Sequence, residues 1–221
     1  MCDTQKIQGI GMTSQRSRNR LVSKLREMGI KNEEVLNIVA DTPRHIFIEE
    51  ALATKAYENS ALPIGHGQTI SQPFIVALMT QVLIESGRMN RVLEIGSGSG
   101  YQTAILSRVS EQVFGVERIK SLVEKAREKI WELKIKNIHL SHGDGMLGWE
   151  RHSPFDAILV AAAPNCVPEE LLNQLSEGGR LIIPIGINED QKLMLYTKTK
   201  SEIIEEEIQT VKFVPLLPGT N

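Results

Sequence analysis

The strongest constraint on the fold of this chain is a regular alternation of strand-like and helix-like segments after residue 90. Five short apolar runs have the length and composition of strands: 91–95, 112–117, 137–145, 155–163 and 180–186. Segments with helical periodicity lie between them: 103–109, 119–133 and 168–175. The run FDAILVAAA at 155–163 is apolar without alternation, as expected of a parallel strand covered on both faces. We therefore predict an α/β fold, a doubly wound and mainly parallel sheet with a ligand site at the carboxyl ends of its strands.

The rest of the chain adds helices before this core and strands after it. Helical patterns occupy four early segments: 14–28, 33–40, 44–52 and 74–85. Segments 192–198 and 202–215 predict an antiparallel C-terminal hairpin. No linker divides the chain, so we expect a single domain, 1–221, in which helices and a loop over 1–90 extend an α/β core over 91–221.

Composition excludes several classes of function. Among 221 residues the net charge is -2, and the basic residues are scattered, so we expect no nucleic-acid partner. No apolar run reaches the length of a membrane span, and no leader-like segment precedes the core. The two cysteines, Cys2 and Cys166, predict no disulfide and fit a reducing, cytoplasmic location. His139 and His142 are expected to share a strand face, but with no third ligand nearby we predict no metal site.

A glycine-rich turn, EIGSGSGY at 94–101, follows the first strand of the core and opens a helix. It departs from the dinucleotide-binding fingerprint, because Tyr101 stands where the third glycine is needed. It also lacks the lysine that serves a triphosphate. Three acids, Glu94, Glu117 and Asp144, end three successive strands beside it. Each acid alone could be a solvated strand end or part of a turn. Together they indicate a ligand with a cationic group, a ribose and an adenine.

This arrangement resembles the class I S-adenosylmethionine-dependent methyltransferases, which have a Rossmann-like sheet. The resemblance implies that Glu94 and the glycine turn face the methionine half of S-adenosyl-L-methionine, that Glu117 binds the ribose, and that Asp144 binds the adenine. A carboxylate beside an ammonium or sulfonium group is electrostatically favourable. The complete set of cofactor-binding residues that we expect is Gln68, Thr69, Glu94, Gly96, Ser97, Gly98, Gly100, Glu117, Asp144 and Gly145.

A second resemblance is more specific. The segment LPIGHGQTISQP at 62–73, together with PRHIF, LEIGSGSGYQTAIL, HGDG, FDAILVAAAP and the late VKFVPL, is similar to the protein-L-isoaspartate O-methyltransferases. It runs from about Pro43 to the end of the chain. Two departures are His66, where an aromatic residue is common, and Glu94, where aspartate is frequent. His66 places a titratable group near the site, where we expect it to change the pH dependence of the activity.

The resemblance implies methyl transfer to the free α-carboxylate of L-isoaspartyl residues in damaged proteins and peptides, by an enzyme expected to be monomeric. That carboxylate is ionised at pH 7 and needs no general base. A neutral hydroxyl can orient it without opposing the loss of charge, so Ser71 is the candidate catalytic residue. Three alternatives stay open: a methyltransferase acting on RNA or a small molecule, a cofactor-binding protein without activity, and Ser71 as a helix N-cap.

Overall fold

The computed structural model describes residues 7, 9–85, 87, 89–188 and 190–221. Within this part of the chain, seven strands form one sheet in the order β5-β4-β3-β6-β7-β8-β9, and β1 and β2 form a separate antiparallel hairpin. The strands are β1 Leu62–Gly65, β2 Gln68–Ile70, β3 Met89–Ile95, β4 Ser110–Glu117, β5 Ile138–His142, β6 Phe155–Val160, β7 Leu175–Ile187, β8 Asp190–Lys198 and β9 Ile203–Val211.

The order of the strands confirms the predicted doubly wound architecture. Strands β3 to β7 pair in parallel, whereas β7, β8 and β9 pair antiparallel. The chain starts the sheet at β3, builds outward through β4 and β5, and then returns to β6 on the other side of β3. This reversal creates a crevice at the carboxyl ends of β3 and β6, where doubly wound folds bind ligands. Central residues such as Leu93 and Leu159 are fully buried, as their apolar runs predict.

The helices cover the sheet, and those near the N-terminus form an additional layer that packs on the core. They are α1 Gln15–Glu27, α2 Glu33–Asp41, α3 Pro73–Ile84, α4 Tyr101–Leu106, α5 Lys120–Glu132 and α6 Glu169–Asn173. The predicted N-cap of α2 is confirmed, because the Asn32 side chain accepts a hydrogen bond from the Val35 amide. Gly29 ends α1 with a φ of +107°, which glycine adopts without strain.

Some predicted boundaries were wrong. Segment 44–52 forms two 3-10 helices, Arg44–Phe47 and Glu50–Lys55, instead of one helix. The helix predicted at 168–175 ends earlier, because Leu175 already pairs with Phe155 as the first residue of β7. Pairing with a neighbouring strand overrides local helical preference there.

The N-terminal helices pack on the core through a shared cluster of buried side chains. Leu25 of α1 and Val35 of α2 join this cluster, as do Ile64 of the hairpin, Tyr101 of α4 and Leu122 of α5. The β1–β2 hairpin is therefore held between the N-terminal helices and the glycine turn. As predicted, the glycines and prolines of 61–73 limit this segment to two short strands.

The prediction that His139 and His142 share a strand face was wrong. His139 and His142 are three positions apart on β5, so they point to opposite faces. The His139 ring stacks on Phe114, and His142 Nε2 lies 3.0 Å from Arg118 O. In the described ranges, no group of three or more His, Cys, Asp or Glu side chains is placed to hold a metal ion.

Two further sequence features can be located. Cys166 is a free, exposed cysteine, and Cys2 lies outside the described residues. No helix that the structure describes is both long enough and apolar enough to cross a membrane.

Candidate active site

A cleft with about 810 Å³ of empty space lies at the carboxyl ends of β3, β4 and β6, below the β1–β2 hairpin. We call it the glycine-turn cleft. Nine of the predicted site residues line it: Gln68, Thr69, Ser71, Glu94, Gly96, Ser97, Gly98, Glu117 and Gly145. The lining does not include Gly100 or Asp144. The tertiary fold thus brings the upstream segment and the glycine turn to one site, although about twenty residues separate them in the chain.

The glycine turn depends on backbone angles that other residues rarely adopt. Gly96 and Gly98 have φ values of +79° and +50°. The Gly96 amide donates to Val116 O at 2.8 Å, which fixes the turn to the end of β4. A Cβ atom on Gly98 would lie 3.2 Å from Ile64 Cδ1, so the hairpin packs closely on this glycine.

Gly100 has a packing role in addition to its predicted place in the glycine turn. It is the N-cap of α4 with a φ of +85°, and a Cβ atom there would lie 3.1 Å from Ala126 Cβ of α5. Its missing side chain therefore allows α4 and α5 to approach, and the structure places it behind the cleft wall.

Glu94 is fully buried in the floor of the cleft. Among the described residues, neither of its carboxylate oxygens makes a hydrogen bond of ordinary geometry, and the same is true of the buried Ser97 hydroxyl. Burial raises the pKa of Glu94 to about 8, the interaction with the Thr103 hydroxyl opposes this shift, and the charge of Glu117 adds to it. Buried acceptors without partners are rare in folded proteins. They fit a ligand that brings a cationic donor to this position.

Glu117 at the end of β4 is held by two backbone amides. Its Oε2 accepts from Gly98 N, and its Oε1 accepts from Ile119 N, each at 2.9 Å. These bonds fix the plane of the carboxylate beside the cleft, and each oxygen keeps a second lone pair. The arrangement can accept hydrogen bonds from the two hydroxyls of a ribose.

Asp144 follows β5 and caps the 3-10 helix Gly145–Leu147. Its Oδ1 accepts from Met146 N at 2.9 Å, and its Oδ2 accepts from Gly219 N at 2.6 Å. Asp144 thereby joins the C-terminal segment to the wall of the cleft. Its neighbour Gly145 lines the cleft directly, where a Cβ atom would collide with the Ile95 side chain.

Ser71 lies where the glycine-turn cleft meets a second cavity. We call this cavity the β9 groove, and it is lined by Ala61, Thr69, Ser71, Gln72, Phe74, Ile75, Ala161, Gln209, Thr210, Val211, Lys212, Phe213 and Val214. Four residues line both cavities: Thr69, Ser71, Ala161 and Val214. The proposed N-cap role of Ser71 is wrong, because Gln72 occupies the N-cap of α3 and makes no side-chain capping bond.

Sequence reasoning missed the other wall of the cleft. Ala161 and Ala162, which follow β6, line it, as do the C-terminal residues 214–217. Ala163 clamps this C-terminal segment, since its amide donates to Val214 O and its carbonyl accepts from Leu216 N, both at 2.8 Å. The motifs AAAP and VKFVPL contain all of these residues except Leu217. Their apolar composition gave no sign of a site, because they contribute shape and backbone groups rather than charge.

Comparison with known proteins agrees with this geometry. The model of the protein-L-isoaspartate(D-aspartate) O-methyltransferase family matches residues 16–221. The protein-L-isoaspartate O-methyltransferase of Hahella chejuensis is 54% identical over 94% of this chain and 99% of its own length.

Two solved structures extend the comparison. One protein-L-isoaspartate O-methyltransferase superposes with a TM-score of 0.81 at 30% identity, over 90% of this chain but only 65% of its own longer chain. A Plasmodium falciparum protein described by the same activity was solved in complex with S-adenosyl-L-homocysteine. It superposes with a TM-score of 0.78 at 34% identity, over 90% of this chain and 97% of its own. The chain therefore belongs to the protein-L-isoaspartate(D-aspartate) O-methyltransferase family.

Proposed function

We propose that this chain transfers a methyl group from S-adenosyl-L-methionine to the free carboxylate of L-isoaspartyl residues in proteins and peptides. One observation carries the proposal: Ser71 borders both the glycine-turn cleft and the β9 groove. A cofactor in the first cavity and a peptide in the second would meet at this residue. S-adenosyl-L-methionine supplies an activated methyl group on a positively charged sulfur.

The residues of the glycine-turn cleft fit this cofactor. Glu94 offers a buried acceptor to the cationic methionine half, and the Ser97 hydroxyl lies beside it without a partner among the described residues. Glu117 is oriented to accept from the ribose hydroxyls. We assign the adenine to the end of the cleft that Gly145 lines, where Asp144 joins the C-terminal segment to the wall. Gln68 and Thr69 cover the cofactor from the hairpin side.

The junction of the two cavities is uncharged, and an uncharged site suits an anionic nucleophile. The four residues that line both cavities are all uncharged: Thr69, Ser71, Ala161 and Val214. In the reaction, a carboxylate oxygen forms a bond to the methyl carbon while the carbon–sulfur bond breaks and its electron pair stays on sulfur. The attacking oxygen loses charge, so a strong cationic clamp would stabilise the reactant more than the transition state. Hydroxyl donors from Ser71 and Thr69 orient the carboxylate at a lower cost.

Alignment and exclusion of water are the remaining catalytic demands. The carboxylate needs no base at neutral pH, so the chain contributes chiefly geometry. The β1–β2 hairpin contributes to both demands because it covers the cleft and leads directly into Ser71. The ester product carries no negative charge, so the neutral donors at the junction bind it less well than the carboxylate substrate.

We further propose that residues 1–221 act as one catalytic domain and as a monomer in the cytoplasm, with isoaspartyl proteins as partners and without nucleic acid. The net charge of -2 supports the last point. The shared buried cluster of helices, hairpin and core supports a single domain.

The proposal is tested with radiolabelled S-adenosyl-L-methionine and two synthetic peptides that differ only in an L-isoaspartyl or a normal aspartyl linkage. We expect label on the isoaspartyl peptide, in an ester that mild alkali releases. Equal labelling of both peptides would contradict the proposal. Alkali-stable labelling of RNA or of a small molecule, with none on the peptide, would instead support the alternative methyltransferase function.

A further inference from the structure

Glu94 combines complete burial with a lack of partners. Its side chain is 0% exposed, and within the described part of the chain neither carboxylate oxygen makes a hydrogen bond of ordinary geometry. An ionised carboxylate in such a place has a large desolvation cost, which the nearby Thr103 hydroxyl offsets only in part. The cost for the neutral acid is far smaller. Before a ligand enters, the protein therefore favours a proton on Glu94.

The charges around Glu94 act in the same direction. The negative charge of Glu117 on β4 raises the pKa of Glu94 further, whereas the interaction with the Thr103 hydroxyl of α4 lowers it without outweighing burial. Ser97 in the turn contributes a neutral hydroxyl to the cleft. Arg118 also lines the cleft, but its Nε is directed to Gly219 O at 3.4 Å.

We propose that the glycine-turn cleft binds its cofactor by cation–proton exchange at Glu94: the neutral acid gives up its proton to solvent as the cationic methionine half of the cofactor enters. The charge of the site is balanced, since one proton leaves as one positive group arrives. The buried carboxylate then gains its ionic partner from the ligand. This inference rests on the proposed function, which places that cofactor in the cleft.

The exchange makes cofactor affinity depend on pH. Burial raises the pKa of Glu94 to about 8 in the cofactor-free protein, so at pH 6.5 nearly every molecule carries the proton. An adjacent cation lowers the pKa of a carboxyl group, so the bound state is ionised. Binding at pH 6.5 should therefore release about one proton, and affinity should rise about tenfold per pH unit between pH 5 and 7.

Titration calorimetry with S-adenosyl-L-homocysteine tests the proposal on the purified protein. Binding is measured at pH 6.5 in phosphate and in bis-Tris, whose different ionisation enthalpies reveal the number of protons released. We expect a value near one. A value near zero with this ligand and with S-adenosyl-L-methionine, together with an affinity that does not change from pH 5 to 7, would overturn the proposal. The two ligands share the ammonium, and only S-adenosyl-L-methionine carries the sulfonium. Release near one with both ligands assigns the ammonium as the partner of Glu94, whereas release with S-adenosyl-L-methionine alone assigns the sulfonium.

Two variants identify the acid responsible. Glu94→Gln keeps the shape of the side chain and should abolish proton release. Glu150→Gln changes an exposed acid outside the cleft and should retain the release. Release that persists in Glu94→Gln would refute the assignment. If that variant fails to fold, the proton count and pH dependence of the wild-type protein still decide the question. None of these measurements includes a methyl acceptor, so failure of the isoaspartyl assay would leave them interpretable.

Discussion

His66 Nε2 lies 2.8 Å from Ser121 Oγ, which ties the turn of the β1–β2 hairpin to the first turn of α5. His66 has a φ of +53° in the two-residue turn that it forms with Gly67. The hairpin is also held by Ile64, which packs on Gly98 of the glycine turn. The contact of His66 with Ser121 thus provides a latch for the segment that covers the cleft.

Ser121→Ala should loosen this latch. Loss of one hydrogen bond of about 0.5–1.5 kcal/mol predicts a dissociation rate of S-adenosyl-L-homocysteine that is faster by roughly 2- to 10-fold. Stopped-flow displacement measures the rate. Ser201→Ala, an exposed serine in the turn between β8 and β9, is the matched control and should leave it unchanged. An unaltered rate in Ser121→Ala would show that the hairpin does not depend on this contact.

Ser71→Ala should lower turnover far more than cofactor affinity. The hydroxyl borders both cavities and makes no helix-capping bond, so its loss affects the orientation of the acceptor. We expect kcat to fall by about 10- to 100-fold, and the Kd for S-adenosyl-L-homocysteine to change by less than about 3-fold. Steady-state kinetics and calorimetry separate the two effects. Equal losses of kcat and affinity would place Ser71 in cofactor binding instead.

Gly100→Ala should destabilise the fold rather than the cofactor site. The substitution combines a φ of +85° with a Cβ atom 3.1 Å from Ala126 Cβ, so we expect a loss of about 1–3 kcal/mol in the free energy of unfolding. Urea denaturation measures it. Gly96→Ala is the comparison, since its added Cβ would meet Ala161 only at 3.8 Å and only backbone strain remains. Gly96→Ala should therefore cost less stability, and the reverse order would contradict this account.

Arg44→Lys should destabilise the protein although charge is conserved. Arg44 is 0% exposed, its guanidinium lies over Tyr101, and its Nη2 donates to Ser60 O at 3.3 Å. Burial lowers the pKa of Arg44 to about 10, so the group stays charged at pH 7. Lysine lacks the planar group that stacks on the ring, and we expect a loss of about 2–4 kcal/mol by urea denaturation. Arg26→Lys, in an exposed pair with Glu33, should have little effect.

Stability of the cofactor-free protein should fall as the pH rises from 5 to 8. The pKa of Glu94 is about 8 in the folded state, against 4.5 for an ordinary glutamate, so in this window the folded state holds a proton that the unfolded chain has released. The free energy of unfolding then decreases with pH, by an amount on the order of a few kcal/mol. Urea denaturation at a series of pH values measures the slope. Glu94→Gln should flatten it, and an equally steep slope in that variant would assign the effect to another group.

The sequence alone determined the class of fold and predicted the residues at the cofactor end of the site. Alternating apolar and helical segments are local patterns. Burial on both faces requires a continuous apolar run, which is visible in the sequence of strands such as β6. Glu94 and Glu117 could be identified because an acid at a strand end beside a glycine turn has a defined position in a parallel sheet. The segment at 62–73 indicated the acceptor by its resemblance to one family.

Only the tertiary structure decided which residues meet. Asp144 has the expected position after β5, but each of its oxygens already accepts a hydrogen bond from a backbone amide. One of these amides, that of Gly219, is 75 residues away in the chain. Gly100 serves the packing of two helices, and the apolar residues 214–217 form a wall of the cleft. Such roles depend on long-range contacts and on the space left between elements. Spacing along the chain carries no information about either, because both arise only when the elements pack.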